Sequence, residues 1–99
     1  MELILKHSVR DFDAWKTVFD EHETTRAKYG ALGHTIYRAA DSPNDVTVVI
    51  SWESRERADG FLKDPSLHEA MERGGVITEP SATWVDRVET TAYPAQQAA

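Results

Sequence analysis

The stretch VTVVISW, residues 46–52, carries the clearest strand signal in the chain. Alternate positions put Val46, Val48, Ile50 and Trp52 on one side and Thr47, Val49 and Ser51, with Glu53 beyond, on the other. A period of two with one wholly apolar face is what a strand needs when helices cover it on one side only. The apolar face therefore predicts covering helices. The mixed face predicts a sheet side that stays open or packs on its own copy as a symmetric homodimer.

Upstream of this strand, SPND at 42–45 reads as a turn with Pro43 at its second position, and HTIYRAA after Gly33 reads as the strand before it. So short a link predicts an antiparallel hairpin. Residues 2–9 also alternate, with Leu3, Leu5, His7 and Val9 on one face and Ile4, Lys6 and Ser8 on the other. Asp11 is a good N-cap for a helix whose stripe recurs at three and four residues: Phe12, Trp15, Phe19, His22, Arg26, Tyr29. Gly30 ends it.

Downstream, Ser54 caps a second helix carrying Ala58, Phe61 and Leu62. Asp64-Pro65 interrupts or restarts that helix, because proline suits a first turn and disfavours an interior. Leu67, Ala70 and Met71 continue the apolar face to Gly74-Gly75, and ATWVDRVE, 82–89, is the last strand. The order β-α-β-β-α-β predicts an α+β, ferredoxin-like domain over residues 1–90. Its four-stranded antiparallel sheet carries helices on one face. Residues 91–99 are expected to be a flexible tail, frayed or lying on a partner.

Ninety-nine residues make one domain with an adequate but not generous core, a size at which a second copy is a natural way to bury more. Seventeen acidic against eleven basic residues give a net charge of −6, and no block of Lys and Arg stands out, which argues against nucleic acid and anionic membranes as partners. The absence of cysteine excludes disulfides, thiolate metal sites and a cysteine nucleophile. MELILKHSV has too short an apolar run for a signal peptide or a membrane helix, so a cytoplasmic location is expected. No H-x-H, H-E-x-x-H, phosphate-loop or dinucleotide spacing occurs, and neither a metal nor a cofactor is expected.

The polar residues on the helix stripe are the functional candidates. If that stripe faces the sheet, His22 and Arg26 point into the gap that His7 and Trp52 enter from their strands. The alternative is that both flank the stripe, pair with Glu23 or Asp86, and leave the core to Trp15 and Phe19. His7 is the strongly polar residue on an apolar strand face, where a hydrogen-bonded core histidine is the commoner outcome. In a dry cleft, however, a neutral imidazole can take a proton from a phenol or from carbon beside a carbonyl. A second His or an Arg would then stabilise the anion. His7 and His22 are thus the catalytic candidates, and Trp15, Phe19, Arg26, Trp52, Phe61 and Trp84 the substrate-binding ones. Three tryptophans are generous for so small a core, and flat walls suit planar ligands. Tyr29 and Tyr37 are weaker candidates for the ligand wall, equally well placed at solvent-facing or loop positions, and His34 near a strand start is expected to be exposed.

The element order, the helix DFDAWKTVFDEHETTRAKYG, the strand ending VVISWES and the segment FLKDPSLHEAM together resemble the dimeric α/β-barrel superfamily over roughly residues 2–89. Within it they resemble the antibiotic biosynthesis monooxygenase-like proteins and the related cyclases. The resemblance implies a homodimer holding a small aromatic or polyketide-like molecule between sheet and helices, with cofactor-independent oxygenation or ring closure as the reaction. It also implies a non-catalytic binding or structural member as the alternative. Two positions where such monooxygenase-like proteins often carry His are Phe61 and Ser66 here, and the axial His of heme-degrading relatives corresponds to Met71. His68, though near, lies off the face of Leu67, Ala70 and Met71, which disfavours heme.

Overall fold

The computed structural model describes residues 1–95. Eight elements follow in the order β1 (Glu2–Ser8), α1 (Phe12–Glu21), α2 (Glu23–Lys28), β2 (Ala31–Ala39), β3 (Ser42–Trp52), α3 (Arg55–Leu62), α4 (Pro65–Arg73) and β4 (Ser81–Val85). The strands form one antiparallel sheet in the order β2-β3-β1-β4. This is the α+β, ferredoxin-like arrangement expected, with each of the two anticipated helices divided in two. Of the expected tail 91–99, residues 96–99 lie outside the described residues, and 91–95 carry no helix or strand. Among the described residues no helix is long and apolar enough to cross a membrane.

Register fixes the two faces. Leu3, Leu5 and His7 of β1 stand opposite Ile50, Val48 and Val46 of β3, so all six share the helix-covered side. Val46, Val48, Ile50 and Trp52 are buried there with Leu3, Val9, Trp15, Ala58 and Phe61. Each large apolar side chain so removed from water contributes about 1.5–3 kcal/mol before chain entropy is charged against it. Thr47, Val49 and Ser51 lie half-buried on the other face, which no element among the described residues covers.

Three boundaries differ from the sequence reading. SPND does not form the turn: the chain reverses at Ala40-Asp41, and residues 42–45 begin β3. Their polar chemistry is used otherwise. Asn44 Oδ1 accepts from the Phe12 amide at 3.0 Å, and its backbone carbonyl accepts from the Val9 amide at 2.9 Å. Pro43, with no N–H to give, offers its carbonyl to Arg38 Nε at 2.9 Å. β2 starts at Ala31 rather than after Gly33, with a register shift that leaves Leu32 exposed. β4 ends at Val85, not 89, because Val85 already pairs with Glu2, the first residue of its only neighbour.

The division of the first helix falls on His22, whose backbone (φ −90°, ψ 2°) leaves the helical region. Its amide is shared between the carbonyls of Val18 and Phe19 at 3.1 and 3.2 Å. The second helix stops at Lys63 and restarts at Pro65, with the Asp64 carboxylate capping the Ser66 amide at 2.8 Å.

Candidate functional site

Between the helix-covered face of the sheet and the helices lies a cavity of about 250 Å³. Leu5, Val48 and Ile50 form its floor, and Trp15, Phe19, Phe61 and Met71 stand among its helical walls. No Asp or Glu lines it; its polar side chains are His7, His22 and Arg26. The chain's acidic surplus is therefore kept outside, and the interior carries one cation and two imidazoles.

His7 reaches the cavity from β1, its ring 5.6 Å from that of Trp15. Both of its ring nitrogens are sealed from solvent and neither has a hydrogen-bond partner. Burial pushes its pKa below the ordinary 6.5, so the ring is neutral at pH 7. His7 also borders a second, more open hollow at the end of the sheet, beside Lys6, Ser8, Tyr37, Arg38 and Thr47.

His22 sits on the opposite wall, only 8 % exposed, with its ring against Phe61. Its Nε2 lies 3.0 Å from Ser66 Oγ at the start of α4. Burial lowers its pKa, the charges of Arg26 and Arg73 add to this, and Asp64 opposes it. Asp64 anchors the neighbourhood by accepting from the Tyr29 hydroxyl at 2.6 Å and from the Ser66 amide, bonds that hold its pKa down at about 2.

Arg26, 3 % exposed, folds back from α2 across the break at His22 to the end of α1. Its Nη1 donates to the Phe19 carbonyl at 2.8 Å, and its guanidinium lies over the Phe19 ring, 3.6 Å from the centroid. The Nη2 is buried without an acceptor. Burial lowers its pKa to about 10, which leaves it charged at neutral pH. Neither Arg26 nor His22 forms an ion pair among the described residues, so the pairing with Glu23 or Asp86 weighed above does not form.

Of the eight candidate residues, His7, Trp15, Phe19, His22, Arg26 and Phe61 line this one cavity. Two do not. Trp52 is buried one layer behind, its ring 5.4 Å from Phe61 and its indole N–H without an acceptor. Trp84 lies on edge strand β4, half-buried, with the Arg55 guanidinium 5.5 Å above its ring. A strand pattern gives the side a residue faces but not its depth or distance along the strand, which is why both were placed at the wall.

Val18, Leu62, Leu67, Ala70, Met71, Pro80 and Ala82 also line the cavity and were not among the candidates. Ser66 was missed as the partner of His22, although the Asp64-Pro65 restart that sets it in a first helical turn was visible. His34 is exposed, as expected at a strand start, with its ring edge-on to Phe19 at 4.9 Å. His68 is exposed and pairs with Glu72, away from the cavity. Among the described residues no three His, Asp or Glu side chains gather as metal ligands.

The architecture is the ferredoxin-like fold of the antibiotic biosynthesis monooxygenase domain proteins. A candidate antibiotic biosynthesis monooxygenase from Bordetella bronchiseptica superposes with a TM-score of 0.77 at 15 % identity, covering 89 % of this chain and 96 % of that one. SnoaB, a cofactor-independent oxygenase from Streptomyces nogalater, superposes with a TM-score of 0.70 at 15 % identity, covering 88 % and 93 %. A candidate antibiotic biosynthesis monooxygenase from Caulobacter crescentus gives 0.71 at 14 % identity, covering 89 % of each chain. No protein-family model and no curated protein sequence matches the chain. The resemblance drawn from the sequence thus holds at the level of the fold, and identities this low carry no reaction with them.

Proposed function

We propose that this protein is a homodimeric enzyme that abstracts a proton from a small aromatic or polyketide-like molecule, as a cofactor-independent monooxygenase or a cyclase. The observation that carries this reading is His7: a neutral imidazole with both nitrogens unpartnered, at the wall of a largely apolar cavity that His22 and Arg26 also line. A cavity of roughly 150 Å³ admits benzene. About 250 Å³ therefore suits a two-ring body between Trp15, Phe19 and Phe61.

In this mechanism His7 takes a proton from a phenol or from a carbon beside a carbonyl, leaving a phenolate or enolate. Ser66 Oγ, 3.0 Å from His22 Nε2, fixes the His22 ring at the opposite wall, where the imidazole can stabilise the developing oxyanion. Arg26 and the aromatic walls hold the substrate. The carbanion has two outlets. With O₂ it forms a C–O bond, and loss of water leaves a carbonyl where a CH₂ stood. One oxygen atom is then in the product and one in water, with all electrons supplied by the substrate. With an internal carbonyl it closes a ring, and the proton held on His7 returns to the new alkoxide.

Hydrogen–deuterium exchange at the acidic CH₂ of 2-tetralone in D₂O reads the shared first step whichever outlet follows. The wild-type protein should accelerate exchange, and His7→Gln should slow it by roughly 10²- to 10⁴-fold. Oxygen uptake with 1,4-dihydroxynaphthalene then separates oxygenation from cyclisation. Binding of 2-tetralone without faster exchange would leave the second reading, a non-catalytic small-molecule binder. That reading draws on the sealing of both His7 nitrogens in the structure.

A further inference from the structure

Arg26 is a buried charge without a counter-ion. It is 3 % exposed, forms no ion pair among the described residues, and makes its one hydrogen bond to a neutral backbone carbonyl. Its Nη2 has no acceptor at all. Isolated buried cations are among the costliest groups a fold can carry, and they persist where something charged completes them. The two carboxylates whose charge acts on it most, Glu23 and Asp20, are exposed on the helix surface and do not line the cavity. Arg26 itself does line it, with no acidic side chain anywhere in the lining.

We propose that the ligand of this cavity is a carboxylate-bearing aromatic, its anionic group seated on Arg26 and its ring system between Trp15, Phe19 and Phe61. This rests on the cavity being the ligand site argued above and adds the charge of the ligand to it. The stacking of the guanidinium on Phe19 at 3.6 Å and its bond to the Phe19 carbonyl hold it in place. A carboxylate then gains a charge-assisted bond in a water-poor site. A neutral ligand of the same shape leaves Nη2 as it is in the structure, so the site discriminates on charge rather than on ring shape.

Calorimetric titration with 2-naphthoate and with its near-isosteric neutral amide, 2-naphthamide, tests this. The wild-type protein should bind the carboxylate at least about tenfold more tightly, the scale of one charge-assisted bond. In Arg26→Met, which keeps the length and apolar stem, the preference should vanish while 2-naphthamide binds within about threefold of wild type. Equal affinity of the wild-type protein for the two compounds overturns the carboxylate proposal and leaves the cavity as a ligand site. Binding of neither compound overturns both. A preference that survives in Arg26→Met assigns the anion to another group and also overturns it. The wild-type pair decides by itself should the variant fail to fold.

Discussion

At the scale of single residues, the contact most open to a direct test joins the two halves of the helical layer: Ser66 Oγ to His22 Nε2 at 3.0 Å. Ser66→Ala leaves a buried ring nitrogen without its partner. It should lower stability by about 1–2 kcal/mol, read as a shift in urea midpoint at unchanged slope. A cycle with His22→Gln should show the two losses to be strongly non-additive; additive losses would mean that the bond contributes nothing.

The histidines also set a pH dependence. Burial lowers the pKa values of His7 and His22 below 6.5, so the unfolded chain takes up protons that the folded chain refuses. Stability from this source is complete above about pH 6.5 and is lost as the pH falls below it. Asp64 acts in a second, lower window. Its pKa drops from 3.8 to about 2, so its contribution is present above pH 3.8 and lost as the pH falls towards 2. Urea melts at a series of pH values should show both declines, and His7→Gln should reduce the first to the share of His22 and leave the second.

At the scale of elements, the cavity depends on where α1 and α2 are set down and how the chain leaves them. Gly30 makes that exit with φ +95°, a conformation that costs side chains with a Cβ about 1–2 kcal/mol. Its carbonyl accepts from the Glu53 amide at 2.9 Å, and Arg57 Nη2 holds the Lys28 carbonyl at 2.7 Å. A Cβ added at Gly30 would lie 3.1 Å from Arg57 Nη1, so Gly30→Ala should add crowding to backbone strain. A loss of at least about 1 kcal/mol by urea denaturation is expected, and a neutral substitution would show that this exit does not constrain the helices.

The same elements show how far the chain could be read. The face of β3 was legible because strand side chains alternate strictly, and the stripe through His22 and Arg26 because helical neighbours recur at three and four. Periodicity survives tertiary context. The hairpin turn was not legible, because Asn44 spends its turn-forming chemistry on Phe12 and Val9. Nor was the helix break at His22, where Arg26 reaches back seven residues to the Phe19 carbonyl, a bond that no local pattern announces.

At the scale of the whole molecule, one sheet face is finished and the other is not. The helix-covered side buries nearly all of the core, whereas Thr47, Val49 and Ser51 stand on a side that no helix or strand among the described residues covers. Beyond β4 the chain runs on without helix or strand to residue 95, and it displays Val88 at 96 % and Tyr93 at 86 % exposure. A second copy packed on the open face would cover Val49 and its neighbours and offer the exposed segment a surface to lie on. Sedimentation at tens of micromolar should therefore give twice the chain mass of 11.1 kDa. Val49→Glu places a charge at the centre of the open face, opposite Ile4 and Thr35, and should return the chain to a monomer with its helical circular dichroism intact. A wild-type monomer under these conditions would show that the mixed face of VTVVISW is a solvated surface. The fold would be untouched, and the cavity, built wholly within one chain, would still bind its ligand as a monomer.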